Sequence, residues 1–136
     1  MRRAVVAILG WSLAMSGAKL SAQGTTTPPQ LANPASQNCV AQGGVLRLER
    51  RPDGGQFGVC VFADNRQCEE WALFRGACPA GGIRVTGYVT PAARCCAITG
   101  GRYSIAARSG AADEKGACAA PGGKTCDADA YIAGTC

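Results

Sequence analysis

Nine cysteines and no histidine set the chemistry open to this chain of 136 residues. Without histidine there is no Ser-His-Asp triad, no Cys-His nucleophile pair and no His-ligated zinc or copper. All nine thiols lie between Cys39 and Cys136. A content of roughly 8–10% Cys in a short chain marks a disulfide scaffold of an oxidising compartment. No two cysteines have the roughly two-to-four-residue gap of a zinc knuckle, so neither a metal nor any other cofactor is expected. The acidic residues that could act in pairs are Glu69-Glu70, Asp113-Glu114, Asp127 and Asp129. Glu69, Glu70, Asp127 and Asp129 fall where helices should begin, a position the helix dipole favours for acids. Gly43-Gly44 and Gly100-Gly101 are followed by no Lys-Ser/Thr, so they are not phosphate loops. The expectation is a protein that is not an enzyme and has no catalytic residues.

The elements that position the cysteines occur twice. Unit one, residues 33–78, begins NPASQNC and places Cys39, Cys60, Cys68 and Cys78 at spacings of 21, 8 and 10. Unit two, residues 90–136, begins TPAARCC and places Cys96, Cys118, Cys126 and Cys136 at spacings of 22, 8 and 10. Pro34 aligns with Pro91, Gly58 with Gly116, and Gly76 with Gly134. Matching gaps with matching glycines read as a tandem duplication.

Each unit reads as helix, β-hairpin, helix, giving a small disulfide-rich α+β fold. Asn33 suits an N-cap, with Pro34 in the first helical position. Gly43-Gly44 stops that helix with a left-handed residue. Leu46 and Leu48 share one strand face, and Phe57, Val59 and Val61 share another. The run from Arg51 to Gly55 (RPDGG) supplies the turn between them. A second helix is expected over residues 68–75, ended by Gly76. The alternating segment 79–89 reads as a connector strand. Between its outer cysteines unit one has eleven bulky apolar residues and unit two has five. Unit two should therefore depend on disulfides and on packing against unit one, and unfold first on reduction.

Four cysteines per unit allow three pairings. A helix over 68–75 would hold Cys68 and Cys78 about 15 Å apart, beyond the ~7 Å that a disulfide spans. That leaves Cys39–Cys68 with Cys60–Cys78, which is preferred, or Cys39–Cys78 with Cys60–Cys68. Unit two should follow the same rule. Cys95 is the odd thiol, and its counterpart in unit one is Asn38. It reads as a partly buried spectator, with a covalent dimer through Cys95 as the alternative.

Residues 1–22 read as a signal peptide: Arg2 and Arg3, an apolar run over 4–18, then small residues before Gln23. The run is shorter than the ~20 residues of a membrane span. Residues 23–32 read as a flexible leader, rich in Thr and Pro. The chain carries +5, but only +2 once Arg2, Arg3 and Lys19 are removed. That is too little to argue for nucleic acid as a partner. Arg47, Arg50 and Arg51 read as the solvated face and turn of the hairpin. Trp71, Phe74 and Arg75 form a candidate interaction surface, because Trp71, Leu73 and Phe74 cannot all face one side of a helix.

Unit one, as NPAS-x-x-C-x-x-x-GG, GG-x-x-G-x-C and CEEWALFRG-x-C, resembles a small Cys-rich bacterial family of unknown function whose members are often labelled hemolysins. The continuation CPAGGIRVTGYVTPAA resembles the longer members, in which a second copy follows. The resemblance implies an envelope location and no established catalytic residues. This chain lacks the acylated Cys of the family's lipoproteins, so a periplasmic or secreted location is expected. The partner is expected to be a protein or another envelope component. The functional expectation is a stapled interaction module. A membrane-active accessory factor and a protease-inhibitor-like binder are the alternatives. Membrane contact is not required by the residues, since no stretch of the mature chain has the ~20 apolar residues of a span or the ~9–11 alternating residues of a barrel strand.

Overall fold

The computed structural model describes residues 33–136, so the expected signal peptide and leader lie outside the described residues. The chain forms α1 (Pro34–Ala41), β1 (Val45–Arg50), β2 (Gln56–Val61), a 3-10 turn (Ala63–Asn65), β3 (Arg66–Glu69), α2 (Glu70–Phe74) and β4 (Ile83–Arg84). It continues as α3 (Pro91–Ile98), β5 (Arg102–Ala107), β6 (Lys115–Ala119), β7 (Thr125–Asp127) and α4 (Ala128–Ile132). Strands β1-β2-β3-β4 make one antiparallel sheet and β5-β6-β7 a second. This is a small disulfide-rich α+β fold in which both units run helix, three strands, helix.

Local chemistry explains the helix ends. The Asn33 side chain accepts from Ala35 N–H at 2.8 Å, and Pro34 follows. Gly43, at φ +81°, turns the chain out of α1. Its neighbour Gly44 is needed for a different reason. A Cβ there would sit 2.3 Å from the Cys60 sulfur. Unit two uses Gly100 (φ +86°) and Gly101 in the same two ways, with the Cys118 sulfur 2.8 Å from a Cβ at Gly101. Each Gly-Gly pair therefore ends a helix and admits a disulfide beneath it.

The disulfides are Cys39–Cys60, Cys68–Cys78, Cys96–Cys118 and Cys126–Cys136, with Cα atoms 5.6, 5.9, 5.6 and 6.1 Å apart. Both expected pairings are corrected. The error lay in the second helix, which does not include Cys68. Cys68 is in strand β3, opposite Cys60. Glu69 is extended and caps α2 by accepting from Ala72 N–H at 2.8 Å. The helix has only five residues, and Gly76 (φ +77°) reverses the chain so that Cys78 returns to the sheet. In each unit one disulfide thus ties the first helix to the middle strand. The other ties the third strand to the segment after the second helix.

The third strand of each unit also went unseen in the sequence, because β3 and β7 are only four and three residues long. The connector contributes only the two-residue β4, which pairs with β3, and Val85, which is buried behind it.

Sheet one has a helix layer on both sides. Toward α1 and α2 it packs Cys39, Cys60, Cys68, Cys78, Ala72 and Leu73, with Leu46 at the edge. Leu48 shares that strand face but lies beyond the helices and is 67% exposed. On the opposite side Phe57, Val59 and Val85 enclose Ile98, the last residue of α3. Helix α3 belongs to unit two in sequence but is shared by both units in space. Arg94, also on α3, reaches back to sheet one and grips Glu49 with two hydrogen bonds of 2.6 and 2.9 Å. Its Nε donates to Gln67 at 2.7 Å.

Two outcomes are expected. Ile98→Ala should cost about 2–5 kcal/mol in denaturant unfolding, because it empties a fully enclosed site at the junction. Under graded reduction with alkylation and peptide mapping, Cys126 and Cys136 should be labelled first. Cys136 is exposed, whereas Cys39, Cys60, Cys68, Cys78, Cys96 and Cys118 are fully buried.

Candidate functional site

Helix α2 is short, and its residues divide sharply. Ala72 and Leu73 are buried in the core, Trp71 is half-buried, and Phe74 is 48% exposed. Trp71 and Arg75 are four apart and so lie on one side of the turn. The Arg75 guanidinium carbon is 5.7 Å from the Trp71 ring centre, and the Phe74 ring meets Trp71 edge-on at 5.8 Å. The three residues singled out in the sequence are therefore in mutual contact.

Trp71 and Arg75 form one wall of a cleft between the units. The opposite wall comes from α3 and α4. Thr99, just past α3, donates to the carbonyls of Cys95 and Cys96 at 2.9 Å, and its oxygen lies 2.9 Å from the Tyr131 hydroxyl, which donates to it. Arg51, from the β1–β2 turn, closes a third side and stacks on Phe57 at 5.3 Å. Arg47 and Arg50 are exposed as expected, but Arg51 is half-buried and lines the cleft.

The cleft has two adjoining hollows that share Arg51, Thr99 and Tyr131. One, of about 390 Å³, is bounded further by Glu69, Trp71 and Arg75. The other, of about 280 Å³, is bounded further by Cys95, Lys124 and Cys136. Two cations, Arg51 and Arg75, face the larger hollow, and one side-chain carboxylate does. That carboxylate, Glu69, is occupied in capping α2. Among the described residues neither Arg51 nor Arg75 has a carboxylate partner, whereas Lys124 donates to Cys136 O at 3.0 Å.

Cys95 sits in the wall of the smaller hollow, unpaired and 5% exposed. Burial pushes its pKa up, and the nearby Arg51 and Arg94 only partly oppose this. The group is a neutral thiol at pH 7, which disfavours nucleophilic use. Its burial also argues against a covalent dimer through Cys95, since a second chain's Cα would have to come within ~7 Å. No group of three or more His, Cys, Asp or Glu among the described residues is placed to hold a metal. Nor is any helix among them long and apolar enough to cross a membrane.

Sequence reasoning did not find Arg51, Thr99, Lys124 or Tyr131. Each lies in a turn, a cap or a short helix, and only the packing of the two units brings them together. No local pattern could have signalled it.

With this geometry in place, comparison with known proteins adds one finding. Residues 30–77 match a family model described as Domain of unknown function (DUF333). No curated protein and no solved structure matches the chain. The match spans unit one up to the residue before Cys78, so the family likeness covers α2 and its Trp71–Phe74–Arg75 cluster.

The Cys95 environment has a measurable consequence. A thiol whose folded pKa is raised binds its proton more tightly in the native state. Its favourable contribution is fully present below the unfolded thiol pKa and is lost as pH rises through the folded pKa. Cys95→Ala should therefore flatten the alkaline decline of stability, measured by urea unfolding between about pH 8 and 10. At pH 6, where the thiol keeps its proton in both states, the variant should show only the pH-independent cost of losing a buried sulfur atom.

Proposed function

We propose that the chain is a non-enzymatic binding module of an extracytoplasmic, oxidising compartment, recognising a protein or other envelope component. The observation that carries the reading is the Trp71–Phe74–Arg75 cluster, held on a helix stapled into the sheet. Cys68 precedes α2 by two residues, Cys78 follows it by four, and the two are bonded to each other. A side-chain cluster fixed in this way loses little conformational entropy on binding, which is the advantage of pre-organisation. Trp and Arg are also the side chains that most often dominate binding energy at interfaces. The four disulfides support an oxidising location. The best-placed acidic groups of unit one are already engaged: Glu69 caps α2, and Glu70 accepts from Asn33 at 3.0 Å and from Ser36. This supports a binding role over acid–base catalysis.

The test is a site-specific cross-link. Phe74→p-benzoylphenylalanine, irradiated in producing cells, should give a discrete adduct, while the same probe at exposed Ser109 in the β5–β6 loop should not. Adducts absent at residue 74, or equal at both sites, would overturn the reading. A parallel arm adds purified, oxidised protein to dye-loaded liposomes and erythrocytes. No release is expected, and concentration-dependent leakage would turn the reading toward a membrane-active factor.

A further inference from the structure

The inter-unit cleft combines three features that together specify a ligand chemistry. The first is unbalanced charge in the larger hollow: Arg51 and Arg75 face the space, and the one side-chain acid there, Glu69, is committed to Ala72 N–H. The second is donor geometry. Arg51 and Arg75 each lie over an aromatic ring, on Phe57 and Trp71, and no side-chain hydrogen bond is formed by either among the described residues. A guanidinium stacked on a ring keeps its in-plane N–H groups free for a planar anion such as carboxylate. The third is a pair of aromatic side chains beside those donors, with Trp71 on one wall and Tyr131 on the other. Within 390 Å³ there is room for a small organic body as well as its charge.

We propose that this cleft is a binding site for a carboxylate-bearing ligand with a planar or apolar body. Arg51 and Arg75 pair with the carboxylate, and Trp71 and Tyr131 receive the body. Every wall of the site comes from a different element: the β1–β2 turn, α2, the end of α3, α4 and the β6–β7 turn. The site therefore exists only where the two units are packed together. The proposal rests on the reading of the chain as a binding module and names the ligand class that this module takes in its cleft.

The test uses the full, oxidised chain, uniformly labelled with nitrogen-15, and follows the Trp71 indole and the arginine Nε resonances. Benzoate is the probe. Benzamide is its neutral counterpart, and inorganic phosphate is an anion without a ring. Benzoate should shift the Trp71, Arg51 and Arg75 signals to saturation, and should bind at least tenfold more tightly than benzamide or phosphate. Affinity should fall as salt rises. Arg51→Gln and Arg75→Gln should each weaken benzoate at least threefold, and together more than tenfold, while backbone spectra stay native. Ser109→Ala, in the exposed β5–β6 loop and outside the cleft lining, should leave benzoate binding unchanged. Equal binding of benzamide, no shift with benzoate, or unchanged affinity in both arginine variants would overturn the proposal. If either variant failed to fold, the benzoate–benzamide comparison on the unmodified chain would still decide it. Failure here alongside a Phe74 adduct would remove the carboxylate site alone. Loss of that adduct would remove the module reading itself.

Discussion

Helix α3 is the constraint on which the rest of the molecule depends. Its inward side is bonded to sheet two through Cys96–Cys118, and its end inserts Ile98 among Phe57 and Val59 of sheet one and Val85 of the connector. A surface helix of this length would have a polar side, but Ala92, Ala93, Cys95, Cys96, Ala97 and Ile98 are all buried. Magnitudes separate what holds this junction from what aligns it. Burying Ile98 and its neighbours contributes about 1.5–3 kcal/mol per large side chain. The Arg94–Glu49 pair is partly open to water, with side chains 24% and 33% exposed, and such pairs contribute about 0–1 kcal/mol. Apolar burial holds the units together. The two-pronged Arg94–Glu49 contact and the Gln67 hydrogen bond set the angle at which they meet.

The two units solve the same packing problem with different chemistry. In unit one Gly58 leaves space for the Glu70 carboxylate, which lies 2.5 Å from where a Cβ would be and binds Asn33 and Ser36 on α1. In unit two the corresponding positions are Thr90, Ala93 and Ala128, and the space over Gly116 is filled by the Tyr103 ring. A hydrogen-bonded Glu70 in unit one, and in unit two a Tyr103 ring whose hydroxyl donates to the buried Glu114, thus stand over the matching glycines. A buried polar cluster need not add net stability over an apolar one. What both units keep is the disulfide pair. With closed loops of 21 or 22 and 10 residues, each bridge is worth about 3 kcal/mol in the chain-entropy account. This matters most in unit two, where Ile98 is the one bulky aliphatic side chain fully enclosed, and it is enclosed by unit one.

Much of this was legible in the sequence. Asn33 and Pro34 marked the start of α1, and the Gly-Gly pairs marked helix ends. The turn over 51–55 is closed by Arg51 N–H to Gly55 O at 2.7 Å, as its Pro-Asp-Gly composition implies. The disulfide pairing was not legible, because it turned on where one helix begins. Two acids before Trp71 looked like a first turn, yet Glu69 is the cap and Cys68 is strand. A shift of two residues at that boundary reversed the pairing. The cleft was illegible for a different reason. Sequence pattern reports how a segment meets its own unit, whereas Arg51, Thr99 and Tyr131 meet only because α3 is shared.

The shared helix also distinguishes the two sheets, because Ile98 packs on sheet one. The strand positions that match Phe57, Val59 and Val61 hold Lys115, Ala117 and Ala119. At the other end, the α1 positions that match Arg94 and Ile98 hold Gln37 and Ala41. These positions thus lack the bulky apolar side chains that make the junction at α3. The substitution of Asn38 by Cys95 fits the same logic. A position that is half-buried at the free face of α1 becomes enclosed at the junction, where a small, weakly polar thiol is more easily accommodated than an amide with four hydrogen-bonding sites.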